Sequence, residues 1–470
     1  MISKIQIYIT SKQNYKFQKI LLIFCLACIF SLSSCAIYGV PQELVVDSSK
    51  PKNIFVFMDG TANNPEIPTN VYRLYQEIYD IGKDKNANTI SYYIPGVGNT
   101  RAPVSKLLGQ GIGFGMEEKI LEGYKFITQY YRPGDRIYVF GFSRGAHTAR
   151  SLAGLISYAG VPRFEDAELN SIWNSGITSG WNIGNKILEL TREQIDVNHA
   201  DNWKNWKRGD APILAELIKV EIKSILARSK NIVVQPAEIE FLGVWDTVPG
   251  SQGIDYFDET DLVCKQRKNS TDTMQRYQID SYPPIHHIAH AVSIDEKRSQ
   301  FKPLFLCSKE TDKHSVHNEE LTKLNEVIFP GAHADVGGGY EHKNNQLPDI
   351  SLKWMIERLE EHYSSPNLQE FQKNLKPNPK GLADLSISDE RGSKFSTCRD
   401  RNLPRNITIH DSIITRNNAG AVPWLYFDKK PQGNYAEQSC KDWVDPLVGI
   451  KKEKILCIKQ SSITCSDLGY

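Results

Sequence analysis

Charge of one sign is what this sequence most plainly lacks: 56 Lys and Arg residues are set against 55 Asp and Glu, a formal net charge of +1 over 470 residues. The two signs are scattered, with neither a basic stripe nor an acidic tail, so a nucleic-acid partner finds no footing here. Long apolar runs are equally scarce. The stretch Ile20 to Phe30 falls short of the ~20 residues needed to cross a ~30 Å hydrocarbon core, which argues against a permanent transmembrane helix. Past residue 34 there is no CxxC pair and no Cys/His spacing of the zinc-binding kind, so neither a metal nor another cofactor is expected. Internal repeats are missing as well, which sets solenoids and propellers aside. What remains is an ordinary globular composition, 40% hydrophobic and 24% charged, in a chain longer than the roughly 250–300 residues at which one core stops growing.

The first residues form a unit of their own. Lys4, Lys12, Lys16 and Lys19 precede the apolar run, which ends in Ser31-Leu32-Ser33-Ser34-Cys35. A basic region, a short apolar core and small residues in that order make a secretory signal. Leu32-Ser33-Ser34-Cys35 resembles the bacterial lipobox. By that resemblance residues 1–34 are removed and Cys35 becomes the lipidated first residue. The mature protein is then expected on the periplasmic side of the envelope, anchored by lipid at the outer membrane. Residues 35–52, with Pro41 and Pro51, read as a tether. Cys264, Cys307, Cys398, Cys440, Cys457 and Cys465 are an even set that an oxidising periplasm could pair, in an order the spacing leaves open.

From residue 53 the chain alternates. Asn53 to Met58, Ser91 to Ile94, Ile137 to Phe140, Ile239 to Trp245, Pro303 to Leu306 and Glu326 to Phe329 are short apolar runs of strand character. Helical spacings lie between them, over Val71 to Ile81, Met116 to Tyr130 and His147 to Tyr158. Strand and helix in alternation predict an α/β domain over residues 53–345 with a parallel central sheet. An interval of about 163–235, with helical spacing at Asn185 to Gln194 and Ile213 to Ala227, reads as an insertion that serves either as a lid or as extra core. Residues 346–470 form a C-terminal extension, loop-rich in its first part.

Gly141-Phe142-Ser143-Arg144-Gly145 fits GxSxG, the nucleophile elbow, and sits where a strand runs into a helix. A serine hydroxyl needs a base oriented by a carboxylate, and in this arrangement the chain order is Ser, then Asp or Glu, then His. Asp246, in the loop after Phe241 to Trp245, is the expected acid, with Glu310 and Asp312 as rivals. His333, just past the last strand, is the expected base, with Asp335 beside it as a supporting carboxylate. His290, read as a helix residue near the site, and His410 are the other histidines considered. The oxyanion hole takes the backbone N–H of Arg144 and, from the loop after the first strand, that of Thr61. Phe57-Met58-Asp59-Gly60-Thr61 also resembles the DxDGT signature of haloacid-dehalogenase phosphatases, but Phe57 stands where the nucleophilic aspartate belongs.

Six blocks, FMDGTANN, YYIPGVGNT, YVFGFSRGAHTARSLAGLI, FLGVWDTVPG, HAVSIDEKRSQFKP and FPGAHADVGGGY, occur in this order. Together they resemble the catalytic domain of type VI secretion phospholipase effectors of the first lipase-effector class, over roughly residues 50–345. The resemblance implies an α/β-hydrolase fold, ester hydrolysis of phospholipids, Ser143 as nucleophile, and Asp246 and His333 as its partners. In HAVSIDEKRSQFKP, Asp295 and Arg298 match a family block without an evident role. The lipoprotein-like leader departs from a protein injected into another cell and fits a resident, membrane-tethered esterase. Neutral His333 is required for such chemistry, so activity should fall below about pH 6.5, the ordinary imidazole pKa. The competing class is a non-catalytic envelope lipoprotein that uses the scaffold to bind lipid or a partner. Loss of a triad member would be its mark, and all three are present.

Overall fold

The computed structural model describes residues 46–47, 49–60, 68–96, 114–164, 183–193, 203–225, 232–248, 281–296, 298, 301–306, 316–339, 346–381, 383–384, 401, 408–418, 424–425, 435–437 and 458–461. Alternation of strand and helix begins with β1 (Asn53–Met58), α1 (Asn70–Ile81), β2 (Thr89–Ile94), α2 (Phe114–Tyr130), β3 (Arg136–Phe142) and α3 (Arg144–Ala159). The insertion follows as β4 (Val161–Phe164), α4 (183–193), α5 (Ala215–Ile225) and β5 (Ile232–Gln235). The chain then returns through β6 (Ile239–Trp245), β7 (His287–Ser293) and β8 (Lys323–Phe329) to α6 (His333–Gly337) and α7 (Pro348–Leu359). Beyond these, β9 (Ala383–Asp384) and β10 (Thr408–Ile409) belong to the C-terminal extension.

Among the described residues seven strands form one sheet in the order β10-β8-β7-β6-β3-β1-β2, and every pairing in it is parallel. The reason lies in the two-residue period of a strand. In β1, Ile54, Val56 and Met58 enter one core with α2 and α3, whereas Phe55 and Phe57 enter the other with α1 and α7. β3 divides the same way, Ile137 and Val139 against Tyr138, Phe140 and Phe142. A strand with two apolar faces must be covered on both sides, and helical crossovers between parallel strands supply that cover. This parallel sheet, flanked by helices and with a serine elbow at the end of a central strand, is the α/β-hydrolase architecture.

The described helices of the insertion turn one face into the core. Ile183, Ile187 and Leu188 of α4, Trp203, and Ile218 and Ile222 of α5 lie buried in the same cluster as α2 and α3, and the Trp203 indole donates to Tyr158 Oη at 2.9 Å. Among the described residues no helix is long and apolar enough to cross a membrane. Cys35 and the six cysteines after it fall outside the described residues.

Two expected elements differ. Pro303 to Leu306 is not a strand, although Leu304 and Leu306 are buried in alternation as a strand would require. Its carbonyls are taken by a side chain instead: Arg150 donates to Leu304 O at 2.5 Å and to Phe305 O at 3.2 Å, while Leu304 N–H donates to Thr247 O at 2.8 Å. The segment around His290, expected as helix, is β7, buried at every position between β6 and β8. A short apolar run carries no period that separates helix from buried strand, and pairing on both edges decides it.

Candidate active site

β3 ends at Phe142 and α3 begins at Arg144, so Ser143 alone makes the turn. It does so at φ 58° and ψ −125°, a left-handed backbone that a non-glycine residue adopts only when the surroundings enforce it. Gly141 and Gly145 do the enforcing. A Cβ on Gly141 would drive into Gly145 O and to 2.7 Å from Ala146 Cα; one on Gly145 would strike Met58 O and stand 2.5 Å from Asp59 O. Helix and strand can therefore meet this closely only without side chains there. Gly145→Ala should lower stability by about 3 kcal/mol, the upper part of the range for overpacking against backbone that cannot yield. Urea denaturation measures it, and a loss under about 1 kcal/mol would show that the contact relaxes.

The Ser143 hydroxyl does not cap α3, and the residue is 6% exposed. Its neighbour Arg144 opens the helix, so the Arg144 N–H is one of the first-turn donors that a helix leaves without an internal acceptor. Such donors, with the positive end of the helix dipole, favour a developing oxyanion. Thr61, the other expected donor, lies outside the described residues. So do Glu310 and Asp312.

Asp246 follows β6 directly, also at positive φ (37°), and is fully buried. Its Oδ2 accepts from His333 Nδ1 at 2.5 Å and its Oδ1 from Ser293 N–H at 2.9 Å. Burial pushes the Asp246 carboxyl up, but the Arg401 guanidinium and the His333 hydrogen bond outweigh it and hold the group well below the usual carboxylate range. For His333 the balance goes the other way: burial lowers the imidazole pKa, and the hydrogen bond to Asp246 only partly restores it. The ring is thus neutral at pH 7, with its proton on Nδ1 toward the carboxylate and its lone pair on Nε2. That Nε2 is buried and has no hydrogen-bond partner among the described residues.

The three residues are tied together through their neighbours. Ser143 N–H donates at 3.0 Å to the carbonyl of Trp245, the residue before Asp246. Phe142, the residue before Ser143, packs its ring 4.6 Å from that of His333, with Phe301 at 4.9 Å on another side.

The family described as T6SS phospholipase effector Tle1-like, catalytic domain, matches residues 52–358. The chain belongs to that family. Its description supports ester hydrolysis as the class of reaction. An uncharacterized protein of Saccharomyces cerevisiae is 30% identical over 272 residues, 55% of this chain and 33% of the yeast protein. Among solved structures, a Tle1 effector bound to the VgrG spike of the type 6 secretion system is 17% identical, with a TM-score of 0.29, covering 62% of this chain and 51% of that one. A dienelactone hydrolase from Anabaena variabilis is 10% identical, with a TM-score of 0.28, covering 70% of this chain and 98% of that one. The chain thus spans about a third of the yeast relative and about half of the effector chain.

In this Tle1-like domain the block around Asp295 and Arg298 acquires a use. Asp295 Oδ2 accepts from Gly331 N–H at 2.7 Å, and Ser293 Oγ donates to Gly331 O at 2.9 Å, which fixes the turn into His333. Glu296 accepts from the His333 N–H at 3.2 Å and from Arg298 Nε and Nη2, both at 2.8 Å. Asp335 accepts from Ala332 N–H at 2.9 Å and shapes the first turn of α6. His290 is engaged elsewhere, with Nδ1 2.7 Å from Glu326 Oε1 and Nε2 accepting from Thr247 N–H at 3.2 Å. His410 stacks 4.7 Å from Phe329 and bonds Ser412 at 2.8 Å.

Arg401 is the residue that sequence reasoning missed. Its guanidinium reaches Asp246 with both Nη atoms, from a stretch without helical or strand period, and no local signal marks it. Beside the elbow, a small cleft open to solvent is lined by Met58, Ile94, Pro95, Met116, Arg144 and Thr148. Among the described residues, His287, Glu361 and His362 bring ligand atoms within 4.8 Å of one another and are the group able to hold a metal. They lie at the start of β7, the opposite end from Asp246's partner Ser293, and their nitrogens already bond Asn325 (2.7 Å), Glu240 (2.8 Å) and each other (2.9 Å).

Proposed function

We propose that this protein is a membrane-associated serine esterase that cleaves the acyl esters of phospholipids. The observation that carries the reading is the unpartnered Nε2 of a His333 held by buried Asp246 beside the strained Ser143 elbow. His333 Nε2 takes the Ser143 proton as Oγ adds to the acyl carbonyl. The resulting oxyanion is met by the N–H groups of Arg144 and Thr61. His333 then gives the proton to the leaving alcohol oxygen, here a lysophospholipid, and the acyl group stays on Ser143. Water, deprotonated by the same Nε2, adds to the acyl carbonyl and releases the fatty acid, restoring the serine. Asp246 stays ionised throughout and steadies the imidazolium. Met58, Ile94 and Met116 put apolar side chains beside the elbow, where the acyl group of an ester would sit. A lipid on Cys35 would hold the domain at the envelope surface, at high effective concentration over its substrate.

Vesicles of phosphatidylethanolamine and phosphatidylglycerol incubated with the protein should yield free fatty acid and lysophospholipid by mass spectrometry. Ser143→Ala should yield neither. Equal product from both proteins would refute the assignment, and vesicle binding without hydrolysis of these lipids or of a short-chain ester would mark a binding protein instead.

The pH dependence follows from His333. Its lowered pKa keeps the accepting, neutral form present below the ordinary 6.5, so the acid limb of kcat/KM should lie below pH 6.5 rather than at it. A limb at or above 7 would contradict the burial of this ring.

A further inference from the structure

We propose that Arg401 is a positioning residue for the catalytic acid, so that a segment beyond the matched family domain completes the active site. The inference rests on the serine-esterase reading and adds to it a residue that the family match, residues 52–358, does not reach.

The contact is built rather than incidental. Nη1 donates to Asp246 Oδ1 at 2.6 Å and Nη2 to Oδ2 at 2.8 Å, the parallel fork that fits a carboxylate plane. Each Nη also donates to a backbone carbonyl, Nη1 to Ser293 O and Nη2 to Phe301 O, both at 2.6 Å. Arg401 is 4% exposed and Asp246 is not exposed at all. The extension from which it comes is fastened to the same sheet: β10 pairs with β8 through Thr408 and Ile409, and His410 N–H donates to Ile328 O at 2.9 Å. β8 in turn leads into the turn that carries His333.

Two consequences follow from a cation at this place. The paired guanidinium offsets much of the cost of burying this carboxylate's charge, and without it the charge would be compensated by a protonated His333. The fork also sets the plane of the carboxylate, so that Oδ2 faces His333 while Oδ1 meets Ser293 N–H. The cation has a cost to basicity. An Asp246 that shares its charge with Arg401 stabilises the imidazolium less than a free carboxylate would. The charged groups facing His333 are Asp246, Glu296 and Arg298, with Arg401 behind the carboxylate. Removing Arg401 deletes a positive charge and frees a negative one, and both changes favour protonated His333.

The test is the pH profile of kcat/KM for a short-chain p-nitrophenyl ester, with full-length wild type, Arg401→Gln and Arg401→Lys, each checked for folding by circular dichroism. Arg401→Gln should lower kcat at least about tenfold with little change in KM and move the acid limb up by about one pH unit. Arg401→Lys, which keeps the charge but loses the fork, should lose kcat while the limb stays at the wild-type position. A purely structural arginine would reduce active protein without moving the limb. An Arg401→Gln limb that coincides with wild type therefore overturns the proposal. If Arg401→Gln does not fold, Arg401→Lys decides: reduced kcat supports the role of the fork and wild-type kcat overturns it. Wild-type protein without Ser143-dependent hydrolysis would remove the underlying reading along with it, a result distinct from an active wild type with an unmoved limb.

Discussion

Ser143→Ala should cut kcat/KM by about 10⁴-fold or more, because the remaining catalysis would come only from substrate binding and the oxyanion donors. Fluorophosphonate labelling should vanish with it. The folded state should survive, since the hydroxyl makes no cap bond to α3. A second substitution separates chemistry from fold. Ser143→Gly is equally inactive, but glycine adopts φ 58° without the side-chain penalty, so stability should rise by about 1 kcal/mol. A thermal melt and a labelling gel read both effects. Activity within tenfold of wild type in Ser143→Ala would place the nucleophile elsewhere, and a destabilised Ser143→Gly would mean that the backbone there is not strained.

Asp246→Asn carries the other large effect, and it acts on activity and stability together. An amide in place of the carboxylate can offer His333 Nδ1 an N–H, which selects the wrong tautomer and puts the ring proton on Nε2; the loss in kcat should be about 10⁴-fold. Arg401 would then be left buried without its counter-charge. Breaking one side of a buried pair costs about 3–5 kcal/mol. Kinetics at pH 7 and urea denaturation give the two numbers. Activity within tenfold of wild type would return the acid to Glu310 or Asp312, and unchanged stability would show that Arg401 is satisfied by Ser293 O and Phe301 O alone.

How much of this was legible in the sequence differs from element to element. Asn53 to Met58 and Ile239 to Trp245 are strands over the expected residues, because their apolar runs end at glycine or polar turns and both faces need cover. GxSxG was legible because the elbow's demand is local: two glycines, one strained serine, a strand before and a helix after. Pro303 to Leu306 has the same burial pattern as a strand, and what differs is the hydrogen-bond partner, a guanidinium 154 residues away in the chain rather than a neighbouring strand. His290, expected in a helix, lies in a strand for a related reason, since a seven-residue run is too short for its period to separate the two.

By itself the sequence determined the alternation of strand and helix, the parallel sheet, the elbow, and Asp246 and His333 as the residues to watch, because each depends on periodicity or on the position of a residue just past a strand. Tertiary structure alone decided that Asp246 and His333 meet at 2.5 Å, that Glu296 and Asp295 hold the turn into His333, and that Arg401 closes on the acid from the extension. Those contacts join residues 36 to 155 positions apart, and no local pattern encodes a partner at that separation. It is the sheet's order, bringing the ends of β3, β6, β7 and β8 to one edge, that makes them neighbours.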